Sequence, residues 1–310
     1  MRLGSFCTGY GGLDMAVSAH YGADLAWYSE VDKDCNQLLA HHWPGVSNLG
    51  DLTTIDWDQV EPVDIMCAGF PCQPFSTAGR RLGEEDERAI FHYIADTIRI
   101  LRPRVAVLEN VSAITSLGGP GVIGALAGLG YDCRWGIVRA SDAGAPHRRA
   151  RWFCIATDTD DSRQPFERPV EAKPHGRRYE GSHITRGGEA TTAPDIARLG
   201  RLRRMRPSAL LDCSQRSVLG RDSAVYRRGT SRVGWGHYAR PVTGWERTIG
   251  RPAPAPTDDG KLSSRFVEWM MGLPDGHVCA LGLSRTAELK MLGNGVCPQQ
   301  AALALTLLDE

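Results

Sequence analysis

Between residue 1 and about residue 157, short apolar runs alternate with amphipathic stretches, and this alternation leaves few folds open. The runs Arg2–Phe6, Asp24–Glu30, Val63–Cys67, Arg104–Glu109, Cys133–Ala140 and Trp152–Ala156 are rich in Val, Ile, Cys and Trp and have strand length. Helical periodicity falls around Leu13–His20, Lys33–His42, Asp86–Leu101 and Val122–Leu129. Repeated strand–helix units predict an α/β fold built on a doubly wound, mostly parallel sheet. Such sheets take ligands at the carboxyl ends of the strands, where the strand order reverses.

The pattern lapses after Asp158. Residues 158–260 are rich in Arg, Gly, Ser, Pro and Thr and read as a small irregular domain or long surface loops. Arg251–Thr257 reads as extended backbone because each Pro biases its predecessor away from helix. Helical periodicity returns at Leu262–Met271 and Gln299–Leu308. The segments expected are therefore 1–157, 158–245 and 246–310.

Composition narrows the class further. The chain has 310 residues, 42% hydrophobic and 23% charged, which suits a folded soluble protein. No apolar run is long enough to span a bilayer, and the start lacks signal-peptide features, so a cytoplasmic protein is expected. Nine cysteines without C-x-x-C spacing argue against a zinc ribbon, and no metal is expected. The net charge is zero, yet Asp158–Arg240 carries sixteen Arg and one Lys against ten acids. An Arg-rich segment in a neutral protein points to a polyanion on one face; a GC-rich coding sequence explains the same composition equally well.

Several segments carry chemistry. Gly4 to Leu13 runs from a strand through a glycine-rich turn into a helix, with Gly9, Gly11 and Gly12 allowing close backbone approach to a ligand. It is not G-x-G-x-x-G, so a dinucleotide fingerprint fails. Glu30, at the end of the second strand, is placed to accept from a ribose diol, and Asp51 follows the third. In Phe70-Pro71-Cys72-Gln73-Pro74-Phe75-Ser76, prolines flanking Cys72-Gln73 fix the backbone and aim the thiol. A free thiol ionises near pH 8.5, so donors near the sulfur would be needed to raise its thiolate fraction. Glu109-Asn110-Val111 ends an apolar strand in a carboxyl group, an environment that raises a carboxyl pKa. Arg149 and Arg151 alternate onto one face of a strand start, where two converging guanidinium groups suit an anion or a base edge. Gly293-Asn294-Gly295-Val296 is a second close-approach turn and would bring the end of the chain back to its start.

In this order and spacing these segments resemble the C5-cytosine-specific DNA methyltransferases of bacterial and phage type, over about residues 1–157 and 245–308. The resemblance implies a Rossmann-like S-adenosyl-L-methionine-dependent methyltransferase fold with a smaller target-recognition domain at 158–245. It also implies methyl transfer to C5 of a cytosine flipped from double-stranded DNA. Carried over by position, Cys72 resembles the nucleophile, Glu109 the carboxyl that holds the base, and Arg149 and Arg151 the paired arginines. Phe6, Gly9, Gly11, Gly12, Glu30, Val31, Asp51, Leu52, Phe70, Asn294 and Val296 resemble the cofactor pocket. Gln73, Ser76, Arg80 and Arg81 fall where the family's mobile loop meets DNA.

Three positions depart from the pattern: Cys7 where an aromatic is usual, His147 where glutamine is usual, and Gly295 where serine is common. The resemblance further implies a monomer and a possible separate cognate restriction endonuclease. The competing readings are a tRNA cytosine methyltransferase of the same fold and an inactive DNA-binding regulator.

Overall fold

The computed structural model describes residues 1–71, 90–160, 185–186 and 234–309. The strands of the main sheet are β1 (Arg2–Phe6), β2 (Asp24–Ser29), β3 (Ser47–Asn48), β4 (Ile65–Gly69), β5 (Val105–Val111), β6 (Tyr131–Arg139), β7 (Ala150–Asp158) and β8 (Thr185–Arg186), and Thr257–Asp258 and Lys261–Leu262 form a separate antiparallel pair. The main sheet has the order β3-β2-β1-β4-β5-β7-β6-β8. β1 pairs in parallel with both β2 and β4, and β4 with β5. β7 inserts antiparallel between β5 and β6. The chain winds outward in opposite directions from β1 and β4, so the ligand-binding crevice expected of such sheets opens at their carboxyl ends. Every strand expected from the sequence is present, within two residues at its start.

The helices are α1 (Gly12–Tyr21), α2 (Lys33–His42), α3 (Ile90–Leu101), α4 (Ile114–Leu117), α5 (Gly119–Gly128), α6 (Ala239–Ile249), α7 (Ser264–Met270), α8 (Arg285–Asn294) and α9 (Pro298–Leu308). Their ends follow local chemistry. Gly22 stops α1 in the left-handed region at φ +63°, donating its N–H to Ser18. The Asp32 carboxylate caps α2 by accepting from the Asp34 and Cys35 N–H groups. Pro298 opens α9, where a missing N–H is harmless.

Two apolar layers cover the two faces of the sheet. Along β4, Ile65 and Cys67 pack with Leu3, Val107, Phe153, α1 and α9, while Met66 and Ala68 pack with Ala106, Leu108, α3 and α5. That alternation is what a strand buried on both faces requires. A third cluster joins Tyr10 and Leu38 to Trp245 and Trp269. Helix α6, which supplies Trp245, runs across the expected boundary at 245. Among the described residues, no helix is long and apolar enough to cross a membrane.

Candidate active site

The cleft at the ends of β1 and β4 has a volume of about 400 Å³, within the usual range for small-molecule sites. One half is built from backbone. After β1 the chain turns through Cys7, Gly9 and Gly11 at φ +50°, +58° and +79°. The buried Glu30 carboxylate holds this turn, accepting from Gly9 N–H through Oε2 and from Val31 and Asp32 N–H through Oε1, each at 2.9 Å. Gly12 lies directly against the Val296 carbonyl, where an added Cβ would collide with backbone. The turn expected at Gly293–Val296 thus closes onto the first loop from the far end of the chain.

The other half is built from ionisable side chains. Glu109, near the end of β5, is buried, and Arg151 on β7 approaches its Oε1 to 3.0 Å through Nε. Burial pushes the Glu109 carboxyl up to about 7, against the lowering pull of Arg151 and Arg149. Burial likewise lowers the Arg151 guanidinium. Next to them Asn110 donates from Nδ2 to the Phe70 carbonyl at 2.9 Å and accepts the Val111 N–H. That bond fixes the chain where it leaves β4 for Pro71 and Cys72.

Of the residues singled out from the sequence, Phe6, Gly9, Gly12, Glu30, Phe70, Glu109, Arg151, Asn294 and Val296 line one cleft. Gly11, Val31, Asp51, Leu52 and Arg149 do not. Gly11 faces the Trp43 ring, Val31 is 69% exposed, and Leu52 is buried in the core. Asp51 spends its Oδ1 on the N–H and hydroxyl of Thr53. The arginines were expected to converge, and their hydrogen bonds diverge: Arg149 donates to the carbonyls of Gly293 and Gly295, leaving Arg151 alone on Glu109. Cys72, Gln73, Ser76, Arg80 and Arg81 lie outside the described residues.

Some lining residues escaped the sequence reading. Asp14 sits buried in the first turn of α1, hydrogen-bonded by Cys67 Sγ at 3.7 Å, and burial pushes its carboxyl up to about 6. Lys290 of α8 reaches Asp32 at 2.7 Å at the mouth, which lowers the Asp32 carboxyl. A carboxylate in the turn after the glycines was a usable signal for Asp14; nothing local marks Lys290.

A family model described as C-5 cytosine-specific DNA methylase matches residues 1–305. The chain belongs to that family. Curated relatives include the type II methyltransferases M.NgoBI of Neisseria gonorrhoeae and M.HhaI of Haemophilus parahaemolyticus. The first is 34% identical over 153 residues, covering 48% of each chain. The second is 30% identical over 174 residues, covering 54% of this chain and 53% of the relative. The chain spans about half the length of the curated relatives it matches. Among solved structures, the Dnmt2 methyltransferase of S. pombe aligns over 100% of both chains with a TM-score of 0.58 and 17% identity. A DNMT2 of Spodoptera frugiperda aligns with a TM-score of 0.59 and 16% identity, covering 100% of this chain and 99% of that one. At these identities the likeness establishes the fold.

Two departures from the family pattern now have physical accounts. Cys7 donates its N–H to Ser29, and burial together with the Glu30 charge pushes its thiol up to about 12, so it is not ionised at neutral pH. Phe6 packs edge-on against Trp27 and Trp57, with ring centres 5.4 and 5.3 Å apart, while also bordering the cleft. His147 Nε2 meets the Met270 carbonyl at 2.9 Å and so carries its proton there, tying the β6–β7 connection to α7.

Proposed function

We propose that this protein is a DNA (cytosine-5-)-methyltransferase acting on a cytosine flipped from double-stranded DNA, with S-adenosyl-L-methionine as methyl donor. The observation that carries the reading is the buried Glu109–Arg151 pair facing a glycine loop across one cleft, beside the chain that leads into Pro71-Cys72. The donor's chemistry fits the residues present. Asp14, Glu30, Asp32, Asp34 and Glu109 line the cleft against Lys290 and Arg151. After the Lys290–Asp32 and Arg151–Glu109 pairings, the excess is negative, as a donor of net positive charge needs. Glu30, the Gly9–Gly12 loop and the 293–296 turn would hold it. When bound, it supplies an electrophilic methyl group on a positively charged sulfur.

The protein's own residues supply the remaining chemistry. Cys72 as thiolate adds to C6 of the base, and the electron pair of the C5=C6 bond moves towards C5 and N3. Glu109, poised near neutrality, holds a proton at N3 and so stabilises that charge. Arg151 keeps the carboxyl in place and offers donors to the base O2. With the methyl group on C5, loss of the C5 proton and expulsion of Cys72 restore the double bond. Flipping the base costs a few kcal/mol of stacking and pairing. Contacts from Gln73, Ser76, Arg80 and Arg81, and from the arginines of 158–245, would offset it.

The protein would work as a monomer in the cytoplasm, with a separate restriction endonuclease as its possible counterpart. The decisive experiment measures methyl transfer to duplex DNA and to tRNA, with bisulfite sequencing to read the modified position. Transfer to duplex DNA that is lost in Cys72→Ser, with donor binding kept, supports the reading. Unchanged transfer in Cys72→Ser, or transfer to tRNA alone, overturns it.

A further inference from the structure

Tyr10 stands in the middle of the glycine loop yet points away from the cleft. Its ring is fully buried and packs against the C-terminal turn. At one end its hydroxyl donates to the Val296 carbonyl at 2.8 Å. At the other, its own carbonyl accepts from His277 Nε2 at 2.8 Å. His277 is itself fixed, stacked on His42 with ring centres 4.0 Å apart, while its carbonyl accepts from His42 Nε2 at 2.7 Å. The loop carrying His277 hangs on the buried Glu268 carboxylate, which accepts from the N–H groups of Gly276, Val278 and Cys279.

The opposite wall of this contact is Gly295. Its backbone, at φ −71° and ψ 176°, is one that any residue adopts, so conformation does not demand glycine there. Space does. A Cβ at 295 would run into the Tyr10 ring. The tyrosine at 10 and the missing side chain at 295 are two halves of one packing solution, which accounts for a glycine where the family commonly has serine.

We propose that Tyr10 is a positioning residue for methyl-donor binding, acting as a strut that sets the distance between the glycine loop and the 293–296 turn, and that it makes glycine obligatory at 295. The proposal rests on the reading of the cleft as the donor site. Tyr10 does not line the cleft, so its effect on the donor passes through Gly9, Gly12, Asn294 and Val296, which do.

The test measures S-adenosyl-L-methionine affinity by calorimetry beside a second readout that needs no donor: exchange of the target cytosine's C5 hydrogen with solvent, which reports the base half alone. Tyr10→Phe removes only the hydroxyl and leaves a buried carbonyl unpaired, so donor affinity should fall about tenfold while the exchange rate stays within about twofold. Gly295→Ser should weaken donor binding by roughly 30-fold or more through overpacking. In a Tyr10→Leu background the same serine should cost less than about threefold, because the ring it strikes is gone. A Gly295→Ser protein that binds donor like wild type overturns the strut, as does a serine penalty that persists unchanged in Tyr10→Leu. Parallel loss of exchange and donor binding in Tyr10→Phe also overturns it, since that marks general destabilisation. Should Gly295→Ser not fold, Tyr10→Phe decides by its split between the two readouts. Wild-type protein that binds no donor removes the cleft assignment and the strut with it, whereas variants that match a donor-binding wild type remove the strut alone.

Discussion

The two halves of the cleft are made of different materials. Around Gly12 and Val296 the walls are backbone pressed against backbone, with no room for a methyl group. Around Glu109 and Arg151 they are ionisable side chains drawn out of water. The first half should therefore answer to volume and hardly to pH, and the second to charge and pH. Close packing transmits sub-ångström changes because interiors are as dense as crystals. Buried charges transmit protonation because each pKa unit is worth about 1.4 kcal/mol.

The sharpest way to separate the halves is Glu109→Gln. It keeps the shape and removes the proton donor, so kcat should fall roughly 10²- to 10⁴-fold, while calorimetry finds donor affinity unchanged. An equal loss in both would erase the distinction. Gly12→Ala attacks the other half: the added carbon meets the Val296 carbonyl, and donor affinity should drop roughly 10- to 100-fold. Hydrogen exchange at the base C5 should be spared, and a loss there would join what the comparison divides.

A pH series sharpens the contrast further. In the proposed reaction Glu109, raised to about 7, serves N3 only when protonated, so kcat should fall as pH rises through 7. Asp14, raised to about 6, is already ionised above pH 7 and should add no pH dependence to donor affinity from pH 7 to 9. The same groups set the pH dependence of stability. Their folded pKa values lie above the unfolded ones, so the native state binds more protons between about pH 4 and 7, and stability falls as pH rises across that window. Urea midpoints should show the decline, and Glu109→Gln should flatten its upper part. The smallest effect belongs to Lys290→Ala. In the Lys290–Asp32 pair at the cleft mouth the lysine is solvent-exposed and the aspartate half-buried, so donor affinity should change by less than about twofold, and 0.5 M salt should abolish the difference.

Much of this was legible in the chain itself. The strands and the helix Lys33–His42 follow from apolar runs and 3.6-residue spacing because one buried core enforces both. The glycine loop and the return of Gly293–Val296 were readable as close-approach turns from their glycine spacing, and Glu30 and Glu109 from their places at the ends of apolar runs. Helix α8 went unread: Arg285–Asn294 lacks an apolar stripe and buries only Met291 and Leu292. Helix α6 lay inside the polar stretch, though its Val242, Trp245 and Ile249 keep helical spacing. Arg149 was misplaced because alternation along a strand fixes a face, while the carbonyls that capture a long side chain come from a turn far away in sequence. Tyr10 and Gly295 seemed unrelated for the same reason.

Synthesis meets these parts in an awkward order. The ribosome delivers the glycine loop some 280 residues before its partner turn, and the turn before α9, whose Ala301, Ala304 and Leu305 cover Leu3, Leu13 and Val17. Until α9 docks, that greasy face stands open and Gly12 has nothing to rest against. The nascent chain is thus at its most vulnerable to aggregation before α9 arrives.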